Sequence, residues 1–222
     1  MSVLARFDGE DLGWQGRTVL RDLRLTVSAG ERVVLLGRSG AGKSTLLNAL
    51  RARLHDGGQR VALVPQDYGL VPQLSVHLNA WMGRLDCHGT AYNLLNLVHP
   101  LARERADVAP WIDAVGLNGL DRRKVETLSG GQKQRTALAR ALYCGGDVVL
   151  ADEPVSAVDP AQGAQLLQNL TDRFATQVIA LHDTGAALRH ATRIIGLRDG
   201  AIALDAPAAD LNQSDLAALY AR

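Results

Sequence analysis

Three short stretches of this chain carry residue types that handle phosphate. The first is GRSGAGKST, Gly37–Thr45, which fits the pattern G-x-x-x-x-G-K-[ST]. Gly37, Ser39, Gly40, Ala41 and Gly42 are small, so backbone N–H groups can turn toward a bound phosphate. Lys43 adds a compact positive charge, and the hydroxyls of Ser44 and Thr45 follow it at the start of a helical pattern. Ser44 is placed to reach a Mg²⁺ ion carried with the phosphates. The second stretch is VVLADEP, an apolar run ending in Asp152 and Glu153. Beside a phosphate loop these acids suit hydrolysis: Asp152 holds the metal directly or through water, and Glu153 orients or deprotonates the attacking water. The third is LSGGQ, Leu128–Gln132, a second glycine pair at the head of a helical pattern. Ser129, Gly130 and Gly131 offer hydroxyl and N–H donors there, without a lysine to duplicate Lys43.

Regular elements must place these groups. RVVLLG is a continuous apolar run ending in glycine, as expected of a strand buried on both faces. It feeds the first glycine loop, and KSTLLNALRARL then repeats leucines at helical spacing. RVALVPQ and QVIALHD read as further strands, which puts Gln66 and His182 just past strand ends. Taken alone, His182 is an ordinary polar strand terminus and Gln66 an ordinary loop residue. Val19–Val27 alternates as a half-buried strand, RIIGLRDGAI reads as a hairpin with an Asp-Gly turn, and SDLAALYAR as a short terminal helix. Ser75–Leu117 reads as helical, broken around Cys87–Gly89, at Pro100 and at Pro110. The repeated order strand, loop, helix predicts an α/β fold with a mainly parallel sheet. The helix-only block predicts a helical subdomain, about 75–127, inserted in one domain spanning 1–222.

Bulk properties narrow the field. With 222 residues and 47% hydrophobic content the chain can bury a sizeable core. Net charge is +1, from 24 basic and 23 acidic residues, so no global attraction to nucleic acid or anionic membrane is expected. Two cysteines, Cys87 and Cys144, give no disulfide framework and fit a reducing cytoplasm. No signal peptide and no spanning helix are expected from the apolar runs, which charges and glycines interrupt.

Together, Gly37–Thr45, Gln66, LSGGQ, LADEP (Ala151–Pro154), SAVD (Ser156–Asp159) and His182 resemble, in order and context, an ABC transporter ATP-binding subunit. The resemblance covers nearly the whole chain. It implies a P-loop NTPase that binds ATP and Mg²⁺ and hydrolyses ATP, with Gln66 sensing the magnesium and the water and His182 contacting the γ-phosphate. Trp14 lies where such a cassette stacks an aromatic on adenine, and Asp159 would lie in the loop that crosses a dimer interface. The resemblance also gives the second glycine loop a use. Two cassettes pair head to tail, and Ser129–Gln132 of one caps the γ-phosphate held by the other.

LVPQLSVHLNAWMGRLD, Leu70–Asp86, and the ending DLAALYAR look like the matching regions of phosphonate importer ATPases. That points to import of phosphonate or a related phosphorus oxyanion, with permease subunits and a periplasmic binding protein as partners. The location implied is the cytoplasmic face of the inner membrane. Other readings are a cassette for amino acid or other small-solute import, for lipid or lipoprotein export or for cell division, an ABC ATPase acting on DNA or ribosomes, and a plain P-loop kinase. Against the kinase stands LSGGQ, and against the nucleic-acid reading the neutral charge. One departure concerns the segment between Lys43 and Gln66, which is short, so the antiparallel β subdomain usual beside the nucleotide is expected to be trimmed.

Overall fold

The order of elements follows the switch from alternating to helical periodicity along the chain. The computed structural model describes residues 2–14 and 16–220, without the side chain of Trp14. The chain begins with strands β1 (Val3–Trp14), β2 (Arg17–Ser28) and β3 (Arg32–Leu36), then helix α1 (Lys43–Asp56) and β4 (Val61–Val64). Three helices follow, α2 (Val76–Trp81), α3 (Thr90–Val98) and α4 (Ala102–Ala114), and then α5 (Gly130–Cys144). The remainder is β5 (Val148–Asp152), α6 (Pro160–Arg173), β6 (Thr176–Ala180), α7 (Thr184–His190), β7 (Arg193–Arg198), β8 (Ala201–Pro207) and α8 (Gln213–Ala217).

The chain divides into two units. The first comprises Met1–Val61, Gly146–Ser156 and Phe174–Arg222. In it β1 and β2 pair as an antiparallel ribbon. A second sheet runs in the order β5-β6-β3-β7-β8. Its pairs β5–β6, β6–β3 and β3–β7 are parallel, and only β8 runs antiparallel. All five residues of β5 and of β6 are buried, which is why the apolar stretches VVLA and VIA show no alternation. Leu46, Leu47, Leu50 and Leu54 bury one stripe of α1, the spacing a 3.6-residue turn demands. The β7–β8 turn is Asp199-Gly200, with φ of 51° and 78°, the left-handed pair that suits a two-residue hairpin. Between Lys43 and Gln66, α1 is followed by β4 with no other described strand, so the separate antiparallel sheet consists of β1 and β2.

The second unit, Ala62–Gly145 and Ala157–Arg173, holds α2 to α6. The residues 75–127 contain α2, α3, α4 and two 3₁₀ turns, and the unit extends beyond them on both sides. Ser75 caps α2 by accepting the Leu78 N–H at 3.2 Å. The breaks expected at Cys87–Gly89 and Pro100 occur. The one at Pro110 does not: this proline lies inside α4. Proline withholds an N–H from the carbonyl of Ala106, but Ala106 is exposed, so water can take that carbonyl. Val108 and Ile112, buried on either side of Pro110, hold the helix in place.

The unit's core contains a buried carboxylate. Glu104 of α4, 3% exposed, accepts hydrogen bonds from Trp81 Nε1 (2.9 Å), Tyr92 Oη (2.6 Å) and Tyr143 Oη (3.3 Å). Burial pushes its pKa up, but the three donors together pull it below the ordinary value. Burial and this carboxylate push Tyr143 up to about 12. Helix α3 is inverted. It buries Asn96, whose amide donates to Tyr92 O and accepts the Leu101 N–H, while Leu94, Leu95 and Val98 are 58%, 52% and 85% exposed.

Candidate nucleotide-binding site

Three adjacent parallel strands deliver the first cluster. β3 ends at Leu36, just before Gly37, β5 ends at Asp152, just before Glu153, and β6 leads through Leu181 to His182. The carboxyl ends of parallel strands are where open α/β sheets bind ligands. The loop 38–40 is exposed, and Gly42 opens α1 with φ of 103°, a conformation an L side chain resists. A Cβ there would also sit 2.8 Å from the Leu20 side chain. No side chain caps α1 and no acid lies in its first turn, so its N-terminal dipole is left for an anion.

Lys43 is buried, 6% exposed, and its ammonium donates to Gly37 O at 2.8 Å and Arg38 O at 3.3 Å. Burial lowers its pKa, opposed by the nearby charges of Glu153 and Asp152. Ser44 Oγ donates to Asp152 Oδ2 at 2.5 Å. Asp152 Oδ1 is buried without a hydrogen-bond partner. A carboxylate oxygen in that state needs a cation or a donor, since an unsatisfied buried charge costs several kcal/mol, on the order of 1–3 or more. The Ser44 hydroxyl and this carboxylate are hard oxygen donors that fit Mg²⁺. Among the described residues no cluster of three or more His, Cys, Asp or Glu could hold a metal. Mg²⁺ suits such sparse protein ligation because it is usually held by one or two protein oxygens together with water and substrate phosphates.

Glu153 has a φ of 53°, left-handed for a non-glycine residue. Its N–H donates to Ala180 O at 3.1 Å, and the Ser156 hydroxyl donates to its carbonyl at 3.2 Å. The His182 Nε2 is hydrogen-bonded to Glu153 Oε1. The Glu153 side chain is 18% exposed and that of His182 47%, so the pair sits at the edge of solvent. No sequence pattern announces a left-handed glutamate, and this feature could not have been read beforehand.

The remaining residues singled out from sequence belong to the second unit or lie outside the described part. Ser129 caps α5: its Oγ accepts the Gln132 N–H at 3.3 Å, and Gln132 Oε1 accepts the Ser129 N–H at 3.0 Å. No acid lies in the first turn of α5. Around Gly130 a Cβ would meet nothing, but at Gly131 it would lie 2.7 Å from Ala157 O. Gly131 is thus required by packing, whereas Gly130 leaves the helix end open. Gln66 is exposed in the turn after β4. Asp159 caps α6, its Oδ1 accepting the Gln162 N–H at 3.0 Å, ahead of Pro160 in the first helical position. Trp14 ends β1, and its side chain lies outside the described residues. Arg140, which the sequence did not single out, donates from α5 to the carbonyls of Tyr68 and Gly69, just after Gln66.

The sequence model of the ABC transporter family matches residues 20–156, more than half of the chain. This chain belongs to the ABC transporter family. It is 40% identical to the phosphonates import ATP-binding protein PhnC of Anaeromyxobacter dehalogenans over 90% of its own length, but spans only 45% of that relative. The PhnC of Polaromonas sp. is 38% identical over 91% of this chain and 82% of the relative. PhnC 1 of Pseudomonas aeruginosa is 37% identical over 96% and 90%. Among solved structures, a dimeric bacterial ABC transporter cassette matches with a TM-score of 0.77 at 25% identity, covering 93% of this chain and 98% of that one. A nucleotide-free cassette at 17% identity and a TM-score of 0.76, aligned over all of both chains, shows the same fold. The chain has the fold of an ABC ATP-binding cassette, an α/β P-loop NTPase.

Proposed function

We propose that this chain is the ATP-hydrolysing subunit of a bacterial importer of phosphonate or a related phosphorus oxyanion. The observation that carries the catalytic part is the gathering of Lys43, the Ser44–Asp152 pair and the Glu153–His182 pair at the ends of β3, β5 and β6. Similarity to phosphonates import ATP-binding proteins over nine-tenths of the chain supports the substrate class.

In this reading Lys43 exchanges its Gly37 and Arg38 carbonyl partners for phosphate oxygens, and the residues Gly37–Thr45 wrap the phosphates with N–H donors. Ser44 and Asp152 hold Mg²⁺, with Gln66 completing its surroundings. When bound, the ion neutralises charge on the phosphate oxygens. Glu153 orients or deprotonates the attacking water, and His182 fixes the Glu153 carboxylate and reaches the γ-phosphate. Trp14 stacks on the adenine. Ser129, Gly130, Gly131 and Gln132 complete the site of a second copy in a head-to-tail homodimer, whose interface loop includes Asp159. ATP closes that dimer and hydrolysis opens it, and this two-state cycle drives the permease subunits. A periplasmic binding protein supplies the solute, and the subunit sits on the cytoplasmic face of the membrane through the permease.

Reconstitution with the permease in vesicles tests the whole. ATP-dependent uptake of methylphosphonate, lost in Glu153→Gln, is the expected result. ATP turnover with uptake of another solute in place of phosphonate would overturn the substrate assignment and leave the ATPase standing.

A further inference from the structure

The loop after Gln66 is held by two clamps, and one of them comes from α5. Arg140 Nη2 donates to Tyr68 O at 2.7 Å, and its Nη1 donates to Gly69 O. These carbonyls belong to consecutive left-handed residues, Tyr68 at φ 64° and Gly69 at φ 53°. A left-handed tyrosine is strained by about 1–2 kcal/mol and persists only where its surroundings enforce it. A planar guanidinium can serve two successive carbonyls at once, whereas an ammonium is a single point donor. The second clamp is Asn79 of α2, which accepts the Val71 N–H at 2.8 Å and donates to Val71 O, Leu74 O and Ser75 O at 3.0, 3.3 and 3.0 Å. Between the strand end at Val64 and these clamps, Gln66 and Asp67 remain exposed.

Arg140 stands on the same helix whose N-terminus is capped by Ser129 and Gln132. The eleven-residue separation is about 16 Å along the axis, three turns of unbroken helix. That helix runs unbroken from Gly130 to Cys144 and packs along its length through Gln134, Leu138, Ala141 and Leu142, all buried.

We propose that Arg140 is a positioning residue for hydrolysis: it fixes the loop that presents Gln66 to the α5 rod, so that Gln66 and the Ser129–Gln132 donors shift as one piece. This rests on the proposed role of Gln66 in sensing the metal and water. Arg140 acts through the carbonyls of Tyr68 and Gly69. Displacement of a catalytic group by about 1 Å costs on the order of 100-fold in rate, so a loosened loop should be read in turnover and not in ATP affinity.

The test is a double-mutant cycle in the full chain with its permease, using Arg140→Lys, Gln66→Ala and the pair. Arg140→Lys is expected to lower kcat about 10- to 100-fold with KM for ATP within about twofold of the parent. In the Gln66→Ala background the same change should alter kcat by less than about twofold, because the group it positions is gone. Amide hydrogen exchange should quicken at residues 66–70 and stay unchanged along α5. Tyr68→Gly, which loosens the loop without touching α5, should reproduce part of the turnover loss and guards against a misfolded Arg140 variant. Equal losses in both backgrounds, or exchange quickening along α5 itself, would reduce Arg140 to a structural residue and overturn the proposal. Parental turnover in Gln66→Ala would instead overturn the role of Gln66, and the Arg140 proposal with it.

Discussion

The two glycine loops are built by different means. At the strand ends of the first unit each charged side chain has an internal partner: Asp152 the Ser44 hydroxyl, Glu153 the His182 ring, Lys43 two carbonyls. In the second unit the capped end of α5 carries no acid in its first turn and no ionic partner among Ser129–Gln132. The first arrangement holds its charged side chains on internal partners. The second keeps a neutral, preshaped set of donors whose geometry, not charge, is what counts. The difference teaches that the first loop should be sensitive to the loss of a functional group, and the second to the loss of shape.

The largest effect expected is at Glu153. Glu153→Gln keeps the size and removes the base, so hydrolysis should fall by about 10²- to 10⁴-fold while ATP binding persists. Light scattering should then find a dimer at saturating ATP, and a monomer would break the paired-site reading. Next comes shape. Gly131→Ala forces a Cβ to 2.7 Å from Ala157 O and should cost about 1–3 kcal/mol of stability, read by denaturant unfolding. Gly130→Ala meets nothing and should leave the unfolding midpoint in place. Equal effects at the two glycines would dissolve the contrast drawn above. Ser129→Ala removes the cap of α5 and should cost about 1 kcal/mol.

The smallest effects are in pH dependence, and the two units differ in where they feel acid. In the first, burial, aided by Arg32, pushes His190 down to about 4, and its Nε2 is hydrogen-bonded to Gln177 Oε1 at 2.8 Å. Between its unfolded value of 6.5 and about 4, only the unfolded chain takes up this proton. Stability therefore falls as pH drops through that window, and His190→Gln should flatten the slope there. In the second unit Glu104 is held below its ordinary value, so its contribution is complete above the unfolded carboxylate range. It is lost at lower pH, as the folded carboxylate is protonated. Glu104→Gln should leave the slope above pH 5 intact, about where carboxylate linkage begins.

Much of this was legible because the relevant signals are local. A glycine loop between an apolar run and a leucine-striped helix, an Asp-Gly turn between strands, and a serine three residues before a glutamine each specify their own geometry. Pro110 misled because the carbonyl it leaves without a donor belongs to Ala106, an exposed residue that water can reach, while the buried Val108 and Ile112 hold the helix on either side. Arg140 was invisible for the opposite reason: its partner carbonyls are 71 and 72 residues away, and nothing in an arginine on a helix tells which distant backbone it will hold. Helix α3 could not be oriented either, since its leucines and asparagines both recur at helical spacing and only tertiary hydrogen bonds decide which side turns inward.

That orientation has a consequence for how the protein is made. A helix showing Leu94, Leu95 and Val98 to water is a sticky surface, and every free copy of the chain presents it. Such copies invite self-association in a purified sample and capture by chaperones and proteases in a cell.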